Sequence, residues 1–449
     1  MKSQLSNHQH DTETLQDPVS ELYQKTFGDL QHLDTEAFLE SYHESMTKIP
    51  PLSSFPWHKI LKLKGTMALF RLDKLWKRVQ GKSAVTFVEY LKKLQTTVRP
   101  TKLTTYQEGQ QTSLTDTEIE FFSSYGLLPA REINIVNNRQ LGPMTETVNN
   151  FCLPLKGKSI PHLHFLDEKI LDLIFDPNIL DTVRGLLGDD LAVSNVTAFY
   201  KPPNTGVTTQ WHSATPGAFA GKYRPQDRHH ANQVTVWVAL TDAKLDNGCM
   251  LMAPRSFIAD VFEEFFVAMR MYNTDKTFFD IPADWMNGLL RCDLKYDVKN
   301  MIHLDPNIYF EDVQQVYSLG FSQQSSFFPD TVRANNLHSV ALPAESGEFY
   351  VFTSKNTHCA LPNISTRPRC AVSIRYLRTK NLVDVLKAHD APHYPTLKDE
   401  PFGKIFKTLR LHERQRNALI SVSGNIPEHL AEHFIDADTV RNAIRQTKG

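Results

Sequence analysis

The chain has 449 residues, 41% hydrophobic and 22% charged, with a formal net charge of -1. That length allows one large core, or one core with an appended unit, and the neutral balance gives no global pull toward nucleic acid or an anionic membrane surface. No stretch reaches the ~20 apolar residues of a membrane helix, Met1–Gln16 carries no apolar signal core, and the five cysteines (152, 249, 292, 359, 370) are odd in number with no CxxC pair, which argues against a disulfide framework or thiolate zinc site. A cytoplasmic protein is expected.

Charge splits the N-terminal region. Residues 1–56 carry nine acidic and three basic side chains; residues 57–103 carry twelve Lys/Arg against Asp73 and Glu89. Ala68, Leu72, Leu75, Trp76 and Val79 recur at helical spacing, as do Phe87, Leu91 and Leu94. A helical extension over 1–110 is expected, its two halves covering each other or docking an acidic partner. Thr115-Asp116-Thr117-Glu118 has the form of a capping box and places the start of the main unit, 111–380. A further helix is expected over Ile179–Gly188, stopped by its glycine.

From about residue 191 the pattern changes to short strands: Leu191–Tyr200, Thr208–Trp211, Val234–Leu240, Glu348–Phe352 and Cys370–Leu377. Turn formers such as Lys201-Pro202-Pro203-Asn204 and Asp246-Asn247-Gly248 separate them. Helices followed by such strands predict an α+β protein with a mainly β core, a jelly roll with helices outside. Residues 258–340 form a long aromatic-rich insertion, expected to be a functional lid. Residues 381–449 are expected to return to helix, with Lys404, Lys407, Arg410, Arg414 and Arg416 making a second basic stretch.

Among eighteen histidines, His212 and His358 each sit at the end of an expected strand, where a scaffold can aim an imidazole. His229 and His230 fall in a polar loop and read as surface or lid. Beyond His358, alternation puts Arg369, Ala371, Ser373 and Arg375 on one face of a strand and Cys370, Val372, Ile374 and Tyr376 on the other. Two arginines beside small residues make a wall that can bind a dicarboxylate through guanidinium forks, unless both lie exposed on an edge strand. Trp237 shares a face with Thr235 and Ala239, and either lines a pocket or packs.

Four blocks resemble the phytanoyl-CoA dioxygenase superfamily of iron/2-oxoglutarate enzymes. They are Glu118–Leu128, Gln210-Trp211-His212, Val234–Ser256 and Gly347–Tyr376, in that family's order and within about 115–380. The resemblance implies a double-stranded β-helix (cupin-like) fold, Fe(II) on His212 and His358, and 2-oxoglutarate and O2 as cosubstrates. Most of the family carries Asp or Glu two residues after the first histidine; here that residue is Ala214. His-x-Ala resembles the aliphatic halogenases that act on carrier-protein-tethered amino acids. Thr209, the Asp246–Cys249 turn and the six-residue spacing of Arg369 and Arg375 resemble that subgroup too, the arginines as its 2-oxoglutarate and chloride-side arginines. Thr209 would donate near the halide, unless it is an ordinary strand threonine.

The substitution has a physical meaning of its own. Six-coordinate iron(II) with two imidazoles and a bidentate 2-oxoglutarate keeps two positions, and a methyl group cannot ligate either. Chloride in the carboxylate's place restores the lost negative charge. Product choice then depends on holding the reacting carbon nearer the halide than the oxygen. Two other readings stay open: an oxygenase recruiting another carboxylate, Asp227 being nearest downstream, or a binding protein on a retired fold. The subgroup implies an acyl or aminoacyl group on an acidic carrier protein, which the basic stretches would suit; a small amino-acid-like molecule fits the same residues.

Overall fold

The computed structural model describes residues 17–28, 72, 75–85, 102–106, 112–153, 159–204, 209–212, 223–225, 230–258, 308–310, 339–380, 382–385, 419–423 and 426–448. Helix α1 (Pro18–Phe27) starts on Asp17, whose carboxylate accepts from the Val19 and Ser20 amides, with proline at its first position. Strand β1 (Ser83–Val85) follows. Helix α2 (Asp116–Tyr125) opens on the expected capping box: Thr115 accepts from the Glu118 amide and Glu118 reaches back to the Thr115 amide. It stops at Gly126, left-handed at φ 73°.

Strand β2 (Arg131–Glu132), helix α3 (Leu141–Cys152), strand β3 (Ile160–Pro161), helix α4 (Glu168–Leu173) and helix α5 (Pro177–Leu187) come next. Asp176 caps α5, and Gly188 ends it where a side chain would strike the Arg378 guanidinium. Then follow β4 (Leu191–Lys201), β5 (Thr209–His212), β6 (Tyr223–Pro225), β7 (Gln233–Ala239), β8 (Met250–Met252), β9 (Ile308–Phe310), β10 (Val340–Leu342), β11 (Glu348–Thr353), β12 (His358–Ala360) and β13 (Arg369–Arg378). The described chain ends with β14 (Leu382–Val385), β15 (Leu419–Ser423), β16 (Phe434–Ile435) and helix α6 (Ala437–Lys448).

An eight-stranded sheet runs β16-β15-β4-β13-β7-β11-β2, with β3 on β4; a four-stranded sheet runs β10-β8-β12-β5. Pairing is antiparallel throughout except β15 with β16. Alternation divides the large sheet into two apolar faces. Val234, Val236, Val238, Cys370, Val372, Ile374 and Tyr376 join the core under α3, α4 and α5. Trp237, Ala239, Tyr350, Phe352 and Ala371 join a second core with Met250, Leu251, Met252, Val340 and Cys359 of the small sheet. Two sheets face each other with helices packed outside the larger: a jelly roll, as expected. Each fully buried Leu, Ile or Phe contributes roughly 1.5–3 kcal/mol, and Tyr376 adds a hydroxyl donated to the Ile174 carbonyl at 2.7 Å.

The terminal regions differ from expectation. The described parts of 381–449 include three strands as well as α6, because Leu382-Val383-Asp384-Val385 and Leu419-Ile420-Ser421-Val422 are rich in β-branched residues and extend pairing rather than coil. The basic stretch 404–416 lies outside the described residues, as do Phe87, Leu91 and Leu94. Residues 75–79 are helical, yet Leu72, Leu75, Trp76 and Val79 are 55–71% exposed. Of the interior of the insertion only 308–310 is described, as β9 paired in parallel with β1; a lid there lies otherwise outside the described residues. Among the described residues no helix is long and apolar enough to cross a membrane, and Cys152, Cys249, Cys359 and Cys370 are free thiols.

Candidate active site

The inner face of the large sheet can be read as rows of register partners. Lys201 pairs with Arg369, and Phe199 with Ala371 and Ala239. Thr197, Ser373, Trp237 and Tyr350 form the next row, then Asn195, Arg375, Thr235 and Phe352. The alternation expected for Arg369, Ser373 and Arg375 is therefore present, and β13 is central, not an edge. Arg369 is 2% exposed.

On the facing sheet, β12 pairs with β5 so that His358 lies opposite His212, and Ala360 opposite Thr209. Directly opposed positions share a sheet face with Cβ atoms about 5 Å apart, a spacing that suits two ligands of one ion. The His358 ring meets Phe352 edge-on at 4.9 Å, so it turns toward the inner face. Its Nδ1 lies 2.9 Å from the Asn356 carbonyl. A carbonyl only accepts, so Nδ1 carries the proton and the Nε2 lone pair is the ligating one. Asn356 is itself clamped: its amide donates to the Tyr125 and Gly126 carbonyls at 2.9 and 3.0 Å, and its oxygen accepts from the Phe257 amide. The left-handed Gly126 is required here, because a Cβ would come within 2.7 Å of the Asn356 amide nitrogen.

Arg369 and Lys201 form a buried cationic pair. Arg369 Nε donates to the Gly248 carbonyl at 3.1 Å, while Nη1 is buried with no hydrogen-bond partner among the described residues. Its guanidinium carbon lies 5.7 Å from the Trp237 ring centroid. Lys201 Nζ donates to the carbonyls of Ala360 and Leu361. Burial, reinforced by the Arg369 guanidinium, pushes Lys201 down to about 7, and burial brings Arg369 down to about 10. Burial also pushes the Cys249 thiol up to about 12 and Cys359 well above its ordinary value. Two cations out of water, one with an orphaned donor, make a seat for an anion. The distal carboxylate of a dicarboxylate such as 2-oxoglutarate fits it.

Lys201 was not among the residues singled out from sequence, although Asn195, Thr197, Phe199 and Lys201 alternate with Val196, Ala198 and Tyr200. Nor was the Asp246–Gly248 turn given a role; its glycine, at φ 97°, supplies the carbonyl that orients Arg369. Ala214 and Asp227 lie outside the described residues, and of Thr209 and His212 only the backbone is described. His230 stacks on Tyr106 at 4.5 Å, with Arg378 also against Tyr106 at 3.8 Å, and is half-buried. Among the described residues no group of three or more His, Cys, Asp or Glu could hold a metal.

Residues 138–285 match the family model described as Phytanoyl-CoA dioxygenase (PhyH). The matched segment contains His212, Ala214, Trp237 and Gly248, whereas His358, Arg369 and Arg375 lie beyond it. No curated protein matches the chain. Solved structures similar to it include the non-heme alpha-ketoglutarate-dependent carbocyclase SnoK from nogalamycin biosynthesis, 15% identical with a TM-score of 0.38, over 61% of this chain and 88% of that one. EctD from S. alaskensis with 2-oxoglutarate and 5-hydroxyectoine is 15% identical with a TM-score of 0.39, over 63% and 84%. The non-heme monooxygenase ThoJ in its nickel complex gives the same identity and score over 73% and 98%.

Proposed function

We propose that the chain is a non-haem iron(II), 2-oxoglutarate-dependent enzyme that halogenates an unactivated aliphatic carbon. The observation that carries the cofactor reading is the pairing of His212 with His358 on the sheet that faces the orphaned Arg369. His212 and His358 would hold the iron, and Arg369, with Trp237 and Ser373 beside it, the distal carboxylate of 2-oxoglutarate. Bound together with O2, iron and 2-oxoglutarate supply the oxidising power to remove a hydrogen atom from carbon. The protein's part is to fix the His358 tautomer through Asn356 and to seat the dicarboxylate.

The halogenase reading rests on Ala214, two residues after His212, where a hydroxylase of this kind carries a carboxylate. A halide in that place keeps the charge of the site unchanged and leaves with the product. The substrate would be an acyl or aminoacyl group on an acidic carrier protein, or a small amino-acid-like molecule. A hydroxylase with a rebuilt metal site fits the described geometry equally well.

The test is an anaerobic spectrum of the full chain with iron(II) and 2-oxoglutarate, with and without chloride. A visible charge-transfer band that shifts, or tighter 2-oxoglutarate binding, on adding chloride supports halide on the metal. A band indifferent to chloride favours the hydroxylase, and no band with iron bound defeats both. Ala214→Asp should abolish the chloride response while leaving 2-oxoglutarate binding in place.

A further inference from the structure

One row beyond Thr235, the inner face carries Gln233, which pairs with Leu377. The Ser354 amide donates to the Gln233 carbonyl, which puts Ser354 beside it in the same row. Gln233, Thr235 and Ser354 are 5%, 3% and 2% exposed. Both side-chain amide atoms of Gln233, the Thr235 hydroxyl and the Ser354 hydroxyl are buried with no hydrogen-bond partner among the described residues. Leaving such an atom unsatisfied costs about 1–3 kcal/mol, and here four occur in two adjacent rows. Elsewhere on this face Lys201 is tied down to Ala360 and Leu361, and the Arg369 Nη1 orphan belongs to the anion seat already described.

Their position along the face is informative. Lys201 and Arg369 lie near the Ala360 end of β12. Phe352, in the row of Thr235, lies against His358 at the other end. Gln233 and Ser354 are one step further on, so His358 stands between the anion seat and this unsatisfied row. The far side is closed by apolar residues: Leu377 packs with Ala192, Leu419 and Leu430.

We propose that Gln233, Thr235 and Ser354 form the recognition wall for the substrate's polar head, and that this head is a neutral amide. This rests on the oxidative reading of the neighbouring site. A primary-amide side chain presents an N–H donor and a carbonyl acceptor side by side in a plane. The group that satisfies both at once is another amide with N–H and C=O on one edge, a carboxamide or a lactam. The two hydroxyls take up its remaining lone pair or N–H. A carboxylate or a ketone only accepts, so either would leave the Gln233 carbonyl without a donor, even with Arg375 in register with Thr235. Gln233, Thr235 and Ser354 are thus specificity-determining residues, and the carbon to be oxidised lies on the His358 side of the amide.

The test needs neither turnover nor metal. Butyramide, butyrate and 2-pentanone are compared for binding to the full chain by saturation-transfer NMR, alongside the variants Gln233→Leu and Thr235→Val. Butyramide should bind at least about tenfold tighter than either analogue, one buried hydrogen-bonded pair being worth about that factor. Gln233→Leu should remove the preference, and Thr235→Val weaken it. Gln233→Leu should also melt no lower than the parent, since it deletes two unsatisfied buried atoms, so a lost preference is not a folding failure. Equal binding of the three probes, or a preference that survives Gln233→Leu, overturns the proposal. A separate 2-oxoglutarate titration of the same samples reports on the cofactor site. Amide selectivity without 2-oxoglutarate binding would overturn the substrate assignment by removing the oxidative reading, whereas 2-oxoglutarate binding without amide selectivity would overturn the wall alone.

Discussion

Replacing Arg369 by glutamine isolates the anion seat. The guanidinium is 2% exposed, fixed through Nε to the Gly248 carbonyl and left with an orphaned Nη1. If that nitrogen meets the distal carboxylate, its removal strips one partner from a buried charge pair, a loss of about 2–5 kcal/mol. At 1.4 kcal/mol per decade this is roughly 30-fold to several thousandfold in Kd. Anaerobic calorimetry of the metal-loaded chain measures it directly. 2-Oxobutyrate, which lacks the distal carboxylate, is the control and should bind parent and variant alike. The ligand-free variant should melt near the parent, because relief of a desolvated charge offsets the bond lost to Gly248. A loss below about threefold, or an equal loss for 2-oxobutyrate, refutes the assignment of Arg369.

Two further perturbations probe the same corner. Lys201 is held down at about 7 from an ordinary 10.5 by burial and by Arg369, so between those values the unfolded chain binds the additional proton. Stability should rise with pH across that window by at most about 1.4 kcal/mol per unit; denaturation curves of Lys201→Met should lose that rise, and a parallel pH profile would count against it. Gly248→Ala puts a Cβ 2.8 Å from Lys201 Cδ and 2.9 Å from the Leu361 oxygen at φ 97°. It should cost about 1–3 kcal/mol in a thermal melt and weaken 2-oxoglutarate; an unchanged melt would show that the turn can relax.

The β core was legible because its strands carry a two-residue period on a chain rich in turn formers. Val234, Val236 and Val238 alternate with Thr235 and Trp237, and Cys370, Val372, Ile374 and Tyr376 with Arg369, Ala371 and Ser373. The capping box at Thr115 and the stop at Gly188 are local chemistry, and both stand in the structure. The two histidines and two arginines could be singled out, but that His358 lies opposite His212 is a matter of register between distant strands, which no local pattern encodes. Lys201 and Gln233 escaped notice for the same reason. A lysine at a strand end and a glutamine at a strand start look solvated until the opposing sheet removes the water. The C-terminal region misled because its short strands gain stability only by pairing with distant ones, β15 with β4 and β14 with β6.

The placement of α1 bears on how the protein is made. Its Phe27 is 1% exposed, Tyr23 lies 4.5 Å from Tyr125, and both rings reach Phe121. Tyr125 and Gly126 in turn are held by Asn356, two residues before His358. Helix α1 therefore packs into a core whose other wall lies more than three hundred residues further along the chain. Until β11 and β12 emerge, Tyr23 and Phe27 have no complete partner surface, and the N-terminal portion cannot settle as a unit ahead of the rest. A ribosome paused before that point would display an apolar helix to chaperones, and a tag or truncation at α1 would be felt at His358.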